Sequence, residues 1–189
     1  MEGYQLLLLI LIHFLILFKP NHSARAKQRL GLEWKTFTCL GNPKIVESHN
    51  CYILDSDKSL ITAEVKYTQD FDRFNATFRL SMPRPPFNEY HKLIDVSFDV
   101  CQFFKGSHRH KFIAITYKSM AKHSNMPMKC PQLKGFYFFR NISIGENLPA
   151  FLPETDFKIE FNFFTPTSTV LNTTLTGRLS EGVRKGRIV

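Results

Sequence analysis

Short segments in which apolar and polar residues alternate recur along the chain, and this pattern limits the fold more than any other feature. Successive side chains of a β-strand point to opposite faces, so alternation is typical of strands with one buried face. Glycine, proline and asparagine residues mark turns between the segments. The pattern predicts an all-β sandwich of about eight antiparallel strands. The predicted strands are Leu32–Cys39, Ile45–Leu54, Ile61–Tyr67, Phe74–Met82, Leu93–Cys101, Gly135–Ile144, Phe157–Phe163 and Thr169–Leu179.

The predicted strand Leu93–Cys101 leads into the longest excursion from the sheets. One face of this strand is apolar, and its cysteine lies on the opposite face. Within the excursion, apolar residues at helical spacing predict one short amphipathic helix, Lys111–Lys122. A disulfide between Cys101 and Cys130 would attach the excursion to the sheet. The residues at helical spacing are Ile113, Thr116 or Tyr117, and Met120.

The chain has four cysteines, Cys39, Cys51, Cys101 and Cys130. An even number of cysteines is typical of a disulfide framework in an oxidising compartment, and four cysteines allow three pairings. We favour Cys39–Cys51 and Cys101–Cys130 because each pair joins neighbours in sequence. The spacing of the cysteines matches no zinc-binding pattern.

The N-terminus has the pattern of a signal peptide. The segment Leu6–Phe18 is apolar except for His13, and it is shorter than the roughly 20 residues of a membrane span. Small residues at Ala24 and Ala26 then fit a cleavage site. We therefore predict a signal peptide over residues 1–26, a single domain over residues 27–189, and a secreted, extracellular product. An uncleaved membrane anchor is the alternative interpretation of the same segment.

The chain carries 25 basic and 16 acidic side chains, a net charge of +9. Cleavage after Ala26 would remove Lys19, Arg25 and Glu2, leaving 23 − 15, or +8. A positive protein can favour anionic membranes, acidic glycans or nucleic acid. The basic residues are mostly scattered, and a secreted chain rarely meets nucleic acid, so we expect no nucleic-acid partner.

Motifs for catalysis and for cofactor binding are missing from the sequence. It contains no G-x-S-x-G, no phosphate-binding loop, no G-x-G-x-x-G and no H-E-x-x-H. His108, His110 and His123 lack the spacing of metal ligands, and Asp95 and Asp99 fit the solvated face of a strand better than a catalytic pair. We therefore predict a protein that is not an enzyme and that uses no metal and no cofactor.

Three N-glycosylation sequons lie within predicted strands, at Asn75, Asn141 and Asn172. Each asparagine is out of phase with the apolar residues of its strand. A glycan must face solvent, so these positions agree with the predicted faces. We expect all three sites to carry glycans.

Phenylalanine is unusually frequent. Of 19 phenylalanines, two lie in the predicted signal peptide, and many of the rest lie in the inward rows, which are the apolar faces of the predicted strands. Aromatic side chains pack a sandwich core well, but they also line apolar cavities that bind lipid-like ligands. The composition alone leaves both possibilities open.

Several motifs resemble a large insect family of secreted proteins of unknown function that includes the CheB chemosensory proteins. The resemblance covers roughly Trp34 to Leu179, and the D-x-C and C-P elements carry most of its specificity. The matching segments are Cys39, Cys51-Tyr52-Ile53-Leu54, Asp99-Val100-Cys101-Gln102-Phe103, Asn125-Met126-Pro127, Cys130-Pro131, Gly135-Phe136-Tyr137, and Leu148-Pro149 to Leu152-Pro153.

The resemblance implies an immunoglobulin-like β-sandwich of the ML (lipid-recognition, ganglioside-activator-like) type, whose two sheets can part to admit an acyl or hydrocarbon chain. It also implies a role in chemosensation, such as a pheromone response, and no catalytic residues. With the inward aromatic rows, it predicts a binding protein for an apolar small molecule or lipid. The predicted lining residues are Phe78, Leu80, Phe98, Val100, Phe138, Phe157, Ile159, Phe161 and Phe163.

Two further expectations concern partners. The ligand would be presented to a membrane receptor by a monomeric carrier. In the alternative interpretation, the protein is a secreted interaction module with a closed core, and it binds a receptor or matrix partner through an outer face or loop.

Overall fold

The computed structural model describes residues 30–54, 56, 58–86, 89–106, 111–145, 148 and 152–181. The predicted signal peptide, His108 and His110 lie outside the described residues. The described residues form eight strands, arranged in two antiparallel sheets, and two helices. This architecture confirms the predicted all-β sandwich. The elements are β1 Leu30–Gly41, β2 Val46–Ile53, β3 Ile61–Tyr67, β4 Asn75–Arg84, β5 Glu89–Asp99, α1 Val100–Phe104, α2 Lys111–Lys122, β6 Gly135–Ile142, β7 Asp156–Phe164 and β8 Thr169–Glu181.

One sheet has five strands in the order β1-β8-β7-β4-β5, and the other has three in the order β2-β3-β6. Both predicted disulfides are present. Cys39–Cys51 joins β1 to β2, and so connects the two sheets, with a Cα–Cα distance of 5.9 Å. Cys101–Cys130 joins α1 to the segment before β6, with a Cα–Cα distance of 5.6 Å. The two ends of the excursion between β5 and β6 are therefore linked to each other, and not to a strand as predicted.

Period-2 alternation explains which faces of the strands are buried. Every second residue of β8 from Leu171 to Leu179 is buried, and the same holds in β4 from Ala76 to Leu80. Gly177 is part of this buried row of β8. The position has no room for a side chain, because a Cβ there would come within 2.7 Å of the Phe157 ring. That ring meets Trp34 edge-on, with ring centroids 5.4 Å apart.

The predicted C-terminal end of the strand Leu93–Cys101 is wrong. The strand ends at Asp99, and Cys101 lies in helix α1. The cause is a helix cap, since the Asp99 carboxylate accepts a hydrogen bond of 2.9 Å from the backbone N–H of Gln102. Helix α2, Lys111–Lys122, has the predicted bounds.

Strand β4 extends beyond its predicted end at Met82 and includes Pro83. Pro83 pairs with Tyr90 of β5, whereas the pairing of β4 with β7 stops at Ser81. Proline lacks an N–H donor, so it is tolerated where a strand has a neighbour on one side only. Alternation along β4 predicts an outward side chain at Ser81, but Ser81 is buried, next to a bulge that leaves Leu93 of β5 60% exposed.

Candidate ligand-binding site

An apolar cavity of about 170 Å³ lies inside the sandwich. Its lining comes from both sheets and from the two helices between β5 and β6. One water molecule needs about 10–15 Å³ of such space, so the cavity is far larger than a packing defect. Apolar cavities of about 150 Å³ stay dry and bind molecules of the size of benzene. The cavity therefore has the size and surface of a site for an apolar molecule.

The five-stranded sheet forms the aromatic wall of this cavity. Alternation along β7 directs Ile159, Phe161 and Phe163 to the inner face, and all three line the cavity. The rings of Phe161 and Phe163 stack with centroids 6.0 Å apart. Phe74 extends this row, since its ring stacks on Phe163 at 5.5 Å. The wall is therefore a continuous apolar surface built from consecutive inward residues.

The three-stranded sheet forms the opposite wall. The inward residues of β3 line the cavity, as do Phe139 and Ile142 of β6. Ala63 occupies the middle of the β3 row, where its small side chain leaves room between the sheets. The inward residues of β3 are Ile61, Ala63, Val65 and Tyr67.

The helices close one side of the cavity. The apolar face predicted for α2 is the face that lines it. The ring of Tyr117 meets that of Phe103 edge-on, with centroids 4.9 Å apart, and Phe103 in turn contacts Phe98 of β5 at 5.2 Å. The backbone N–H of Arg140 donates to the carbonyl of His123, which holds the end of this segment against β6.

Most predicted lining residues lie at one of two cavities. Phe98, Val100, Ile159, Phe161 and Phe163 line the large cavity. A second cavity of about 40 Å³ is lined by Phe78, Leu80 and Phe157, together with Ile159, which borders both. Sequence reasoning missed the residues that the helices and the loop after α2 contribute, because strand alternation was its main signal. It also missed those of β3, although Ile61, Ala63, Val65 and Tyr67 share one face of that strand by alternation. The helical face around Tyr117 was visible in the sequence but was not assigned to the site.

Phe138 lines neither cavity, and its place is taken by Phe139. The cause is a bulge in β6, where Ile61 pairs with Ile142 and Ala63 pairs with Phe139. One extra residue in β6 breaks the alternation, so Phe139 and Ile142 both face inward. Phe138 instead lies on the outer face, with the Arg140 guanidinium 4.3 Å from its ring centroid.

Few polar groups border the large cavity. Glu64 has its carboxylate 2.7 Å from the guanidinium of Arg140. The Thr173 hydroxyl donates to the carbonyl of Phe161 at 3.3 Å. Tyr67 is only 5% exposed, and its burial raises the pKa of its hydroxyl well above the usual value, with a smaller contribution from Tyr137. The Tyr67 side chain is therefore a neutral phenol.

The three predicted glycosylation sites lie at the surface. Asn141 is exposed, and Asn75 and Asn172 are half-buried on the faces opposite to the buried rows of β4 and β8. The placement is compatible with glycans at these positions, and their attachment stays a prediction.

Asp95 and Asp99, the two carboxylates that share a strand face in the sequence, have structural roles. Asp95 accepts hydrogen bonds from Lys92 and Arg79 on the outer face of the sheet, and Asp99 caps helix α1. The part of the chain that the structure describes contains no cluster of three or more metal-ligating side chains. No helix within that part is long and apolar enough to cross a membrane.

The search of curated proteins found no match to this chain. The family comparison found one for residues 76–159, which run from the start of β4 to the middle of β7. This segment contains β5, both helices and β6, and so includes the helical side of the cavity. It matches the family described as "Protein of unknown function (DUF1091)", which supports the predicted resemblance to a domain of unknown function.

Proposed function

We propose that this protein is a secreted carrier that binds one hydrophobic ligand between its sheets. The observation that supports this most directly is the cavity of about 170 Å³, whose lining is almost entirely apolar. An empty cavity costs roughly 24 cal/mol per Å³, or about 4 kcal/mol here, against a typical total stability of about 5–15 kcal/mol. A bound apolar molecule would offset that cost.

Two disulfides fit an oxidising compartment, in agreement with the predicted signal peptide and glycosylation sites. The resemblance to the family that includes the CheB proteins, and to ML-type lipid-recognition sandwiches, adds the expectation of a lipid, hydrocarbon or pheromone-like ligand. We extend the proposal to a role in chemosensation, in which the carrier presents its ligand to a membrane receptor. The alternative, an interaction module with a closed core, is disfavoured by the size of the cavity.

Native mass spectrometry of the full chain, expressed for secretion from eukaryotic cells, tests the proposal directly. We expect a stoichiometric mass increment that disappears on solvent extraction and that lipid analysis assigns to an apolar molecule. A protein that keeps its ligand-free mass after exposure to lipid and hydrocarbon mixtures would favour the interaction module.

The substitution Ala63→Phe tests whether the cavity is the site. The added ring would fill space between the sheets, so binding of naphthalene, a small fluorescent hydrocarbon, should weaken at least about tenfold. Thermal stability should be kept or increased, because the ring replaces empty volume. Ser48→Phe is the matched control, since Ser48 is exposed on the neighbouring strand β2. Equal binding by both variants would place the site elsewhere.

A further inference from the structure

The charge of the cavity lining restricts the kind of ligand that it can hold. No lysine, arginine or histidine occurs among the described residues that line the large cavity. Glu64 is the one acidic residue in that lining, and it pairs with Arg140. A carboxylate or phosphate inside the cavity would therefore have no cation within the described lining to compensate for the loss of water. The lining favours an uncharged ligand.

Tyr67 brings a phenol hydroxyl to the residues that line this apolar cavity. This hydroxyl forms no hydrogen bond with any described residue, although the hydroxyl of a buried tyrosine usually has a partner. The ring is held by Phe71 and Tyr137, with centroid distances of 5.0 and 5.8 Å. The neighbouring Tyr137 hydroxyl differs, because it donates to the carbonyl of Leu133 at 2.8 Å. Tyr67 lines the cavity, whereas Tyr137 is absent from its lining.

We propose that the ligand is an uncharged hydrocarbon chain with one neutral oxygen function, such as an alcohol, ester or ketone, and that this oxygen bonds to the Tyr67 hydroxyl. The proposal rests on the proposed function and makes it more specific, since it excludes free fatty acids and charged lipid headgroups from the cavity. The apolar walls hold the chain, and the phenol satisfies its polar end. Tyr67 can donate to a carbonyl or an ether oxygen and can also accept from an alcohol.

The first test compares two ligands of equal chain length on the wild-type protein. Decanol and decanoate would compete with bound naphthalene at a pH near 8, where the acid is ionised. We expect decanol to displace the probe at a concentration at least about tenfold lower than decanoate. Displacement by decanoate at the same concentration as decanol would overturn the proposed ligand class.

The second test concerns Tyr67. The variant Tyr67→Phe should bind decanol about three- to tenfold more weakly, the value of one hydrogen bond, and should bind naphthalene with unchanged affinity. Tyr137→Phe is the matched control and should keep the wild-type affinity for decanol. An unchanged affinity of Tyr67→Phe for decanol would overturn the role of this hydroxyl. Failure of the wild-type protein to bind naphthalene, decane or decanol would contradict the proposed function itself.

Discussion

Asn141 has a backbone φ of +54°, in the left-handed region that most side chains avoid. It lies at the bulge of β6, where the extra residue turns Phe139 rather than Phe138 toward the cavity. Asparagine tolerates this conformation better than other non-glycine residues, because its short polar side chain can hydrogen-bond locally. The bulge that contains Asn141 therefore decides which aromatic ring of β6 lines the proposed site.

Substitution of Asn141 tests this role at the level of one backbone angle. Asn141→Val should lower the free energy of unfolding in urea by about 1–2 kcal/mol, because a β-branched residue is strained at positive φ. Asn141→Gly should be close to neutral. Both variants belong in a Ser143→Ala background, which removes the predicted glycosylation signal from all proteins compared. Equal stability of the valine and glycine variants would contradict the assigned conformation.

At the scale of elements, ion pairs on the outer face connect strands that are distant in sequence. Asp156 at the start of β7 lies 2.9 Å from the Lys35 amine of β1 and 3.4 Å from the Arg178 guanidinium of β8. The hydrogen bond from Lys35 lowers the pKa of Asp156 below its usual value, and the charge of Arg178 acts in the same direction. The carboxylate form is therefore favoured in the folded protein.

The lowered pKa predicts a pH dependence of stability. Because the folded-state pKa lies below the unfolded value of about 4, the contribution of Asp156 is present above that pH and is lost as pH falls through the folded pKa. Asp156→Asn should lower the melting temperature at neutral pH, and this difference should disappear at a pH of about 2. Asp72→Asn is the control, since Asp72 is exposed and forms no ion pair among the described residues. A difference that stays constant with pH would refute the assignment.

The two helices complete the cavity that the strands begin. Alternation along β5 ends where Asp99 caps α1, so Phe103 and Phe104 reach the cavity from a helix instead of a strand. Helical spacing in α2 then presents Ile113, Tyr117 and Met120 to the same space. These residues are apolar for the same reason as the strand residues opposite them, since all of them face the interior.

At the scale of the whole molecule, Cys101–Cys130 links the two ends of the helical segment that closes one side of the cavity. The closed segment has a sequence separation of 29, against 12 for Cys39–Cys51. A longer loop gains more stability from closure, since the unfolded chain loses more freedom. The disulfide that closes the longer loop lies in the helical segment, which has the least strand pairing to hold it in place.

Removal of each disulfide tests this difference. The double substitution of Cys101 and Cys130 to alanine should lower the free energy of unfolding by about 3.5 kcal/mol, and that of Cys39 and Cys51 by about 3 kcal/mol. The first variant should also release bound naphthalene faster than wild type in stopped-flow dilution, because the helical wall is less restrained. An unchanged release rate would show that this wall does not control exit from the cavity.

Local patterns were sufficient to predict much of this fold. Alternation identified the inward row of β7, and helical spacing identified the bounds of α2. The disulfide pairing followed from proximity in sequence. These features depend on residues near one another along the chain, where the direction of each side chain follows from backbone geometry.

The sequence by itself determined where the strands lie, most of their buried faces and the disulfide framework. Whether the aromatic rows close into a packed core or leave a cavity was decided by the tertiary structure, because that depends on how sheets and helices meet across space. The bulge at Asn141 exchanged Phe138 for Phe139, and the cap at Asp99 brought Phe103 to the cavity. Tyr67 likewise became a candidate contact for a ligand only through its surroundings, which come from distant parts of the chain and are invisible to local periodicity.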